Sequence, residues 1–236
     1  MNFNDLDFLI YSSHKTSTQS LLSTLIKNNY KAIHCHELTQ LSLFCINPPT
    51  KETFIQCLIN YKTIKNKKLK IITCIRNPKT RLVSSFFQSF FSDEISFNNI
   101  SEENTTISLK NEDELCITYE ENIKNKKLLE RMESLDELSV IVDKDLLNKL
   151  ENKKDYYYLN SDLFELYVLD FNCLIDKNVL NYLNNTLVLN LKILSSCNLS
   201  ENKSYYNKYK NIKKNIGGKF DEIIENQYNS FYFTAF

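Results

Sequence analysis

Leu69-Lys70-Ile71-Ile72-Thr73-Cys74-Ile75-Arg76-Asn77-Pro78 reads as an apolar strand that stops at an arginine and hands over to a helix. Its near-continuous hydrophobicity is what a strand covered on both faces requires. Pro78 suits the first turn of a helix, where its missing N–H costs nothing, and Leu82, Val83, Phe86, Phe87 and Phe90 continue at helical spacing. Toward the N-terminus, Phe8-Leu9-Ile10-Tyr11 is a second apolar run. It leads through a polar loop into Leu21, Leu22, Leu25 and Ile26, again on one helical face. Tyr30 to His36 predicts another strand, Thr50 to Tyr61 a helix after Pro48-Pro49, and Leu166 to Phe171 a fourth strand. Strands alternating with helices imply right-handed crossovers, so the expected fold is α/β with a central parallel sheet flanked by helices.

The stretch 92–155 is more polar, with one predicted helix from Glu112 to Leu135. It carries no linker signature and reads as an insertion or lid within a single domain, 1–236. Asn178 to Leu183 is expected to be a short helix, and Lys219 to Phe233 a closing amphipathic one. The chain of 236 residues has 29 basic and 29 acidic side chains, so its formal net charge is zero. That balance argues against a dedicated nucleic-acid binder, whose affinity comes from surplus Lys and Arg facing phosphates. No stretch approaches the roughly 18–20 apolar residues of a membrane helix, so no transmembrane segment is expected. The 7 cysteines show no CxxC pair and read as reduced thiols of a cytoplasmic protein. Clustered metal ligands are confined to His34-Cys35-His36, and adjacent residues seldom supply several tetrahedral ligands. No metal is expected.

Two segments carry the chemistry. The loop after the first strand offers Ser12, Ser13, Lys15, Thr16, Ser17, Thr18 and Ser20 where a helix begins. Unbonded backbone N–H groups and the helix dipole favour an anion there, and a lysine with hydroxyls adds charge-assisted hydrogen bonds. Read plainly, the same residues are a Ser/Thr-rich cap with an incidental lysine. The second segment places Arg76 at the carboxyl end of a strand, where open α/β sheets bind ligands. Ser84, eight positions on, lies about two helical turns away and would help hold a second anionic group. For Arg81 the plain reading, a surface arginine, is the better one.

Together the segments resemble the sulfotransferase family that uses 3′-phosphoadenosine 5′-phosphosulfate (PAPS). That family has a first-strand loop of the form Pro-Lys-x-Gly/Ala-Thr/Ser-Thr for the 5′-phosphosulfate and a third-strand Arg-x-Pro-x-x-Arg motif, with a following serine, for the 3′-phosphate. Here the first is His14-Lys15-Thr16-Ser17-Thr18-Gln19-Ser20, with His14 in place of proline and Ser17 and Gln19 departing from the pattern. The second is Arg76-Asn77-Pro78-Lys79-Thr80-Arg81-Leu82-Val83-Ser84. Phe220 to Phe233 is similar to the family's final helix. The resemblance implies a P-loop-like sheet and a donor site built from Lys15, Thr16, Ser17, Thr18, Gln19, Arg76 and Ser84. It also implies product adenosine 3′,5′-bisphosphate and no metal.

His34 and His36 alternate along the second strand and so share a face. The segment His34-Cys35-His36-Glu37-Leu38 is similar to the His-x-His element of heparan sulfate 2-O-sulfotransferases, in which a histidine is the base. A neutral imidazole suits that work near pH 7. The resemblance therefore implies in-line transfer to a hydroxyl acceptor, a glycan, with Lys15 neutralising the leaving group. His36 is the first choice as base, with His34 and Glu37 beside it. One alternative is a P-loop nucleotide kinase or NTPase, which would want Gly-x-x-x-x-Gly-Lys-Ser/Thr and an acidic strand end for magnesium. The other is a non-catalytic nucleotide-binding module of the same fold. Lys203, Ser204, Lys213 and Lys214 read as solvated loop residues or as groups closing over a nucleotide, and Tyr156-Tyr157-Tyr158 as core packing or a sugar platform.

Overall fold

Strands β1 (Phe8–Tyr11), β2 (Ala32–Cys35), β3 (Leu69–Ile75), β4 (Glu151–Asn152), β5 (Tyr156–Asn160) and β6 (Phe164–Asp170) form a sheet of order β2-β1-β3-β6-β5-β4. The computed structural model describes residues 2–12, 16–43, 50–96, 111–125, 138–139, 145–195, 206–216, 218 and 220–226. The four strands from β2 to β6 are parallel, as the alternating pattern requires. β5 and β4 extend the sheet antiparallel, so the whole is mixed. The helices are α1 (Thr18–Lys27), α2 (Lys51–Lys65), α3 (Pro78–Ser96), α4 (Glu112–Lys124), α5 (Phe171–Leu174), α6 (Val179–Leu187), α7 (Tyr206–Ile216) and α8 (Asp221–Glu225). By contact density the chain divides into two compact units. One runs over Met1–Arg76 and Met132–Asn198, the other over Asn77–Arg131 and Leu199–Ala235.

The first unit holds the sheet. Phe8, Ile10, Ile72, Cys74 and Leu169 meet Leu21 and Leu25 of α1 and Leu183 and Leu187 of α6 in one buried cluster. Leu9, Ile71 and Val168, also buried, alternate with these and face the other way. α2 packs against β3 and the N-terminal turn Phe3–Asp5. Phe3 meets the ring of Phe54, and the Tyr61 hydroxyl donates to Leu6 O at 2.8 Å. Thr50 and Thr53 form a reciprocal capping box that starts α2, and Asn66 ends it in the left-handed conformation that asparagine tolerates.

The second unit is helical among its described residues. Asn111 and Glu114 cap α4 reciprocally. Phe86 of α3 meets Tyr119 of α4 edge to face at 5.3 Å, Phe87 meets Tyr209 of α7 at 5.7 Å, and Tyr119 meets Phe220 at 5.8 Å. Lys79 bridges to Asp221 at 2.6 Å and Glu225 at 2.7 Å.

Two expectations change, and a reading left open is narrowed. Lys213 and Lys214 are exposed on a helix, α7, rather than on a loop. The spacing of Tyr209, Ile212 and Ile216 is the helical signal for it. Arg81 is 2% exposed, not a surface arginine, because α3 turns it inward. Tyr156, Tyr157 and Tyr158 form β5. Tyr158 lies opposite Tyr167 with rings 5.1 Å apart, and Tyr156 stacks on Tyr167 at 6.2 Å, so these two rings pack within the sheet. The predicted stretch 92–155 lies outside the described residues at 97–110, 126–137 and 140–144, and the closing helix does so beyond 226.

Candidate functional site

Parallel pairing of β1 with β3 brings Ser12 and the Cys74–Arg76 tip to the same edge of the sheet. Ser12 is buried, and its hydroxyl joins the two strand ends beyond their ladder. It donates to Cys74 O at 2.9 Å and accepts the Cys74 N–H at 3.0 Å. With that one hydrogen committed, the contact to the buried Thr16 Oγ1 at 2.9 Å is a donation from Thr16. Ser12 is thereby fastened to β3, and Thr16 to Ser12. Ser13, His14 and Lys15 lie between them, outside the described residues.

Ser17 follows at φ 61°, a left-handed conformation unusual for serine, and is the N-cap of α1 without a side-chain capping bond. Its carbonyl accepts from Ser20 and Leu21. The α1 terminus beginning at Thr18 and Gln19 therefore opens at the carboxyl edge of the parallel strands, with the positive end of its dipole there. That is the geometry in which backbone amides take an anion. The cap serine is turned away from the task that Ser and Thr perform at most helix starts.

β2 delivers the two histidines. His34 is on the strand, paired with Ile10, and His36 follows its end. Their rings stand edge to face at 4.3 Å, so the alternation read from the sequence does bring them together. His36 Nδ1 lies 2.6 Å from Ser12 O, and a carbonyl only accepts, so Nδ1 carries the hydrogen and Nε2 the lone pair. The His36 backbone N–H donates to Gln40 Oε1 at 2.7 Å. Burial pushes the His36 pKa below its ordinary value, against smaller opposing effects of the Ser12 hydrogen bond and the Glu37 charge. The ring is consequently neutral at pH 7, with its basic nitrogen defined. Glu37 is exposed and accepts from Thr39 Oγ1 at 3.3 Å.

Arg76 is half-buried one residue past β3, its guanidinium carbon 4.2 Å from the centroid of the Phe171 ring. Stacking engages the face of the guanidinium, while its N–H donors lie in the plane at the edge, the geometry suited to a bidentate anion. Phe171 follows β6, whose last residue, Asp170, pairs with Ile75. The Asp170 carboxylate, an acidic strand end of the kind a magnesium site would want, accepts the Asn172 N–H at 2.9 Å and caps α5. Ser84 is half-buried on α3, in the second unit. Among the described residues no group of three or more His, Cys, Asp or Glu side chains is placed to hold a metal ion.

Four contacts escape sequence reading: Ser12 to Cys74, Phe171 to Arg76, Gln40 to His36, and Gln19 Nε2 to His34 Nδ1, 3.3 Å apart. Each joins separate segments or depends on a side-chain rotamer. Only the position of Phe171, directly after an apolar strand, leaves a trace in the pattern.

Residues 47–137 match the family model described as a sulfotransferase domain. The match supports a sulfotransferase family for this chain. It covers α2, β3, α3 and α4 and so contains Arg76, Asn77, Pro78 and Ser84. No curated protein and no solved structure matches the chain. No helix among the described residues is long and apolar enough to cross a membrane.

Proposed function

We propose that this protein transfers a sulfuryl group from PAPS to a hydroxyl of a carbohydrate acceptor, with His36 as the base. The observation that carries the reading is the sulfotransferase-domain match across the Arg76-Asn77-Pro78 strand tip. The chemistry of the sheet edge supports it. A helix terminus without a side-chain cap suits one anionic group, and a guanidinium over the Phe171 ring, at the tip of the neighbouring strand, suits a second. The residues present therefore fit a doubly anionic nucleotide. In this reading Lys15, Thr16, Ser17 and the first-turn amides of Thr18 and Gln19 hold the 5′-phosphosulfate, and Arg76 holds the 3′-phosphate.

When bound, PAPS supplies the sulfuryl group and a stabilised leaving group. The protein's own part is positioning and charge. Lys15 offsets negative charge developing at the departing phosphate, as donors aimed at a transition state do. His36, neutral and oriented by Ser12, takes the acceptor hydroxyl proton on Nε2. The carbohydrate preference rests on the His-x-His segment, His34-Cys35-His36.

Thermal stability with adenosine 3′,5′-bisphosphate, against ATP with magnesium, is the first test. Saturation at about 100 times Kd adds roughly 2.7 kcal/mol. Stabilisation by ATP-magnesium alone points instead to a kinase. Transfer from labelled PAPS to a panel of glycans and simple alcohols is the second test, and binding with no transfer to any acceptor leaves a non-catalytic module. In that assay Lys15→Ala is expected to lower kcat by about 100-fold or more, with Kd for the bisphosphate changed less. Arg76→Ala is expected to raise that Kd by roughly 10-fold or more through loss of a charge-assisted contact, with kcat changed less. Near-native values for both variants sink the assignment.

A further inference from the structure

Gln19 projects from the first turn of α1 onto the second histidine of the pair, its Nε2 3.3 Å from His34 Nδ1. With the amide nitrogen, which has no lone pair to offer, on that side, the ring nitrogen accepts and the His34 hydrogen is assigned to Nε2. The two histidines thus carry opposite tautomers. His36 is protonated on Nδ1 by its bond to the Ser12 carbonyl, and His34 is protonated on Nε2 by its bond from Gln19.

A proton arriving at His36 makes a cation whose ring centroid is 4.3 Å from that of His34. Two charged rings at that separation repel strongly, so uptake at His36 requires that His34 stay neutral. A donor facing Nδ1 achieves this, because it opposes protonation of the one nitrogen of His34 that can still accept a proton. Among the described residues, Ile10, opposite His34 on β1, is apolar, Ser12 acts on His36, and Glu37 acts on His36 from the same segment. We propose that Gln19 is a positioning residue, its amide holding His34 in the neutral Nε2–H form so that the acceptor's proton goes to His36. The proposal rests on the sulfotransferase reading above for the proton's origin, and on the geometry alone for the tautomers.

The test is long-range proton–nitrogen NMR of the three histidines, His14, His34 and His36, assigned by single His→Gln variants. In the native protein at neutral pH, His34 is expected to show the Nε2–H pattern and His36 the Nδ1–H pattern. Gln19 is exposed, so its replacement leaves the core intact. Gln19→Glu places a carboxylate opposite Nδ1 and is expected to raise the His34 titration midpoint by about one pH unit and to lower that of His36. Gln19→Leu is expected to leave His34 as a mixture of tautomers. An Nδ1–H pattern for His34 in the native protein overturns the proposal, and so do identical His34 patterns in all three proteins. The spectra are recorded without substrate. Absent sulfuryl transfer with both tautomers in place therefore removes the function proposed above while supporting the role of Gln19 at the pair.

Discussion

At the scale of single residues, His36 shows how position becomes chemistry. The Ser12 carbonyl settles which nitrogen is basic, and burial settles its charge. Because the pKa is pushed below the ordinary 6.5, the ring is already neutral above that value. The pH profile of kcat/KM is expected to rise through a midpoint below 6.5 and then to be flat across neutrality. His36→Gln should remove that limb along with most of the turnover, while binding of adenosine 3′,5′-bisphosphate, measured by calorimetry, is preserved. Val188 is a different case. It ends α6 at φ 53°, a left-handed conformation that a β-branched side chain adopts only under strain, and it is 81% exposed. The turn is held by the Val188 and Leu189 N–H groups on Asn184 O, bonds that glycine keeps without the steric cost. Val188→Gly is therefore expected to stabilise the protein by about 1 kcal/mol, read from urea denaturation.

At the scale of elements, α1 is both an anion-facing terminus and a post along which another segment is fastened. Asn28 accepts the N–H groups of Lys192 and Ile193 and donates to Ile193 O. Thr24 Oγ1 accepts from the Ser195 N–H at 3.0 Å, and Ser23 bonds the Ser195 hydroxyl at 2.8 Å. The strap 191–195 thus runs antiparallel to α1, from its last turn toward the terminus at Ser17. Asn28→Ala removes three of these bonds at once. The amides of Lys192 and Ile193 are expected to exchange with solvent at least tenfold faster, on the order of 1.4 kcal/mol, while strand β3 keeps its protection, as hydrogen exchange by mass spectrometry can show.

At the scale of the whole molecule, the titration of His36 is coupled to stability. His36 binds its proton less readily in the folded chain than in the unfolded one, so lowering the pH through 6.5 favours the unfolded form until the folded-state value is passed. Urea midpoints are expected to fall over that window and to be unaffected by this group above it. The difference between native and His36→Gln curves isolates the effect, and parallel curves would remove it. The parallel half of the sheet was legible from local pattern. β1 and β3 coincide with the apolar runs Phe8–Tyr11 and Leu69–Ile75, because strands buried on both faces need unbroken hydrophobicity. That Ser12 and Arg76 share one edge was legible too, since a parallel sheet presents the carboxyl ends of its strands on the same side. The antiparallel β4 and β5 left little trace, one being two residues long and the other carrying tyrosines on both faces. The inward turn of Arg81, the Ser12 clamp on Cys74 and the amide of Gln19 on His34 also depended on the fold. Periodicity along a chain records which face is buried, whereas a hydrogen bond between residues 15 or 62 positions apart exists only once packing has brought its two ends into range.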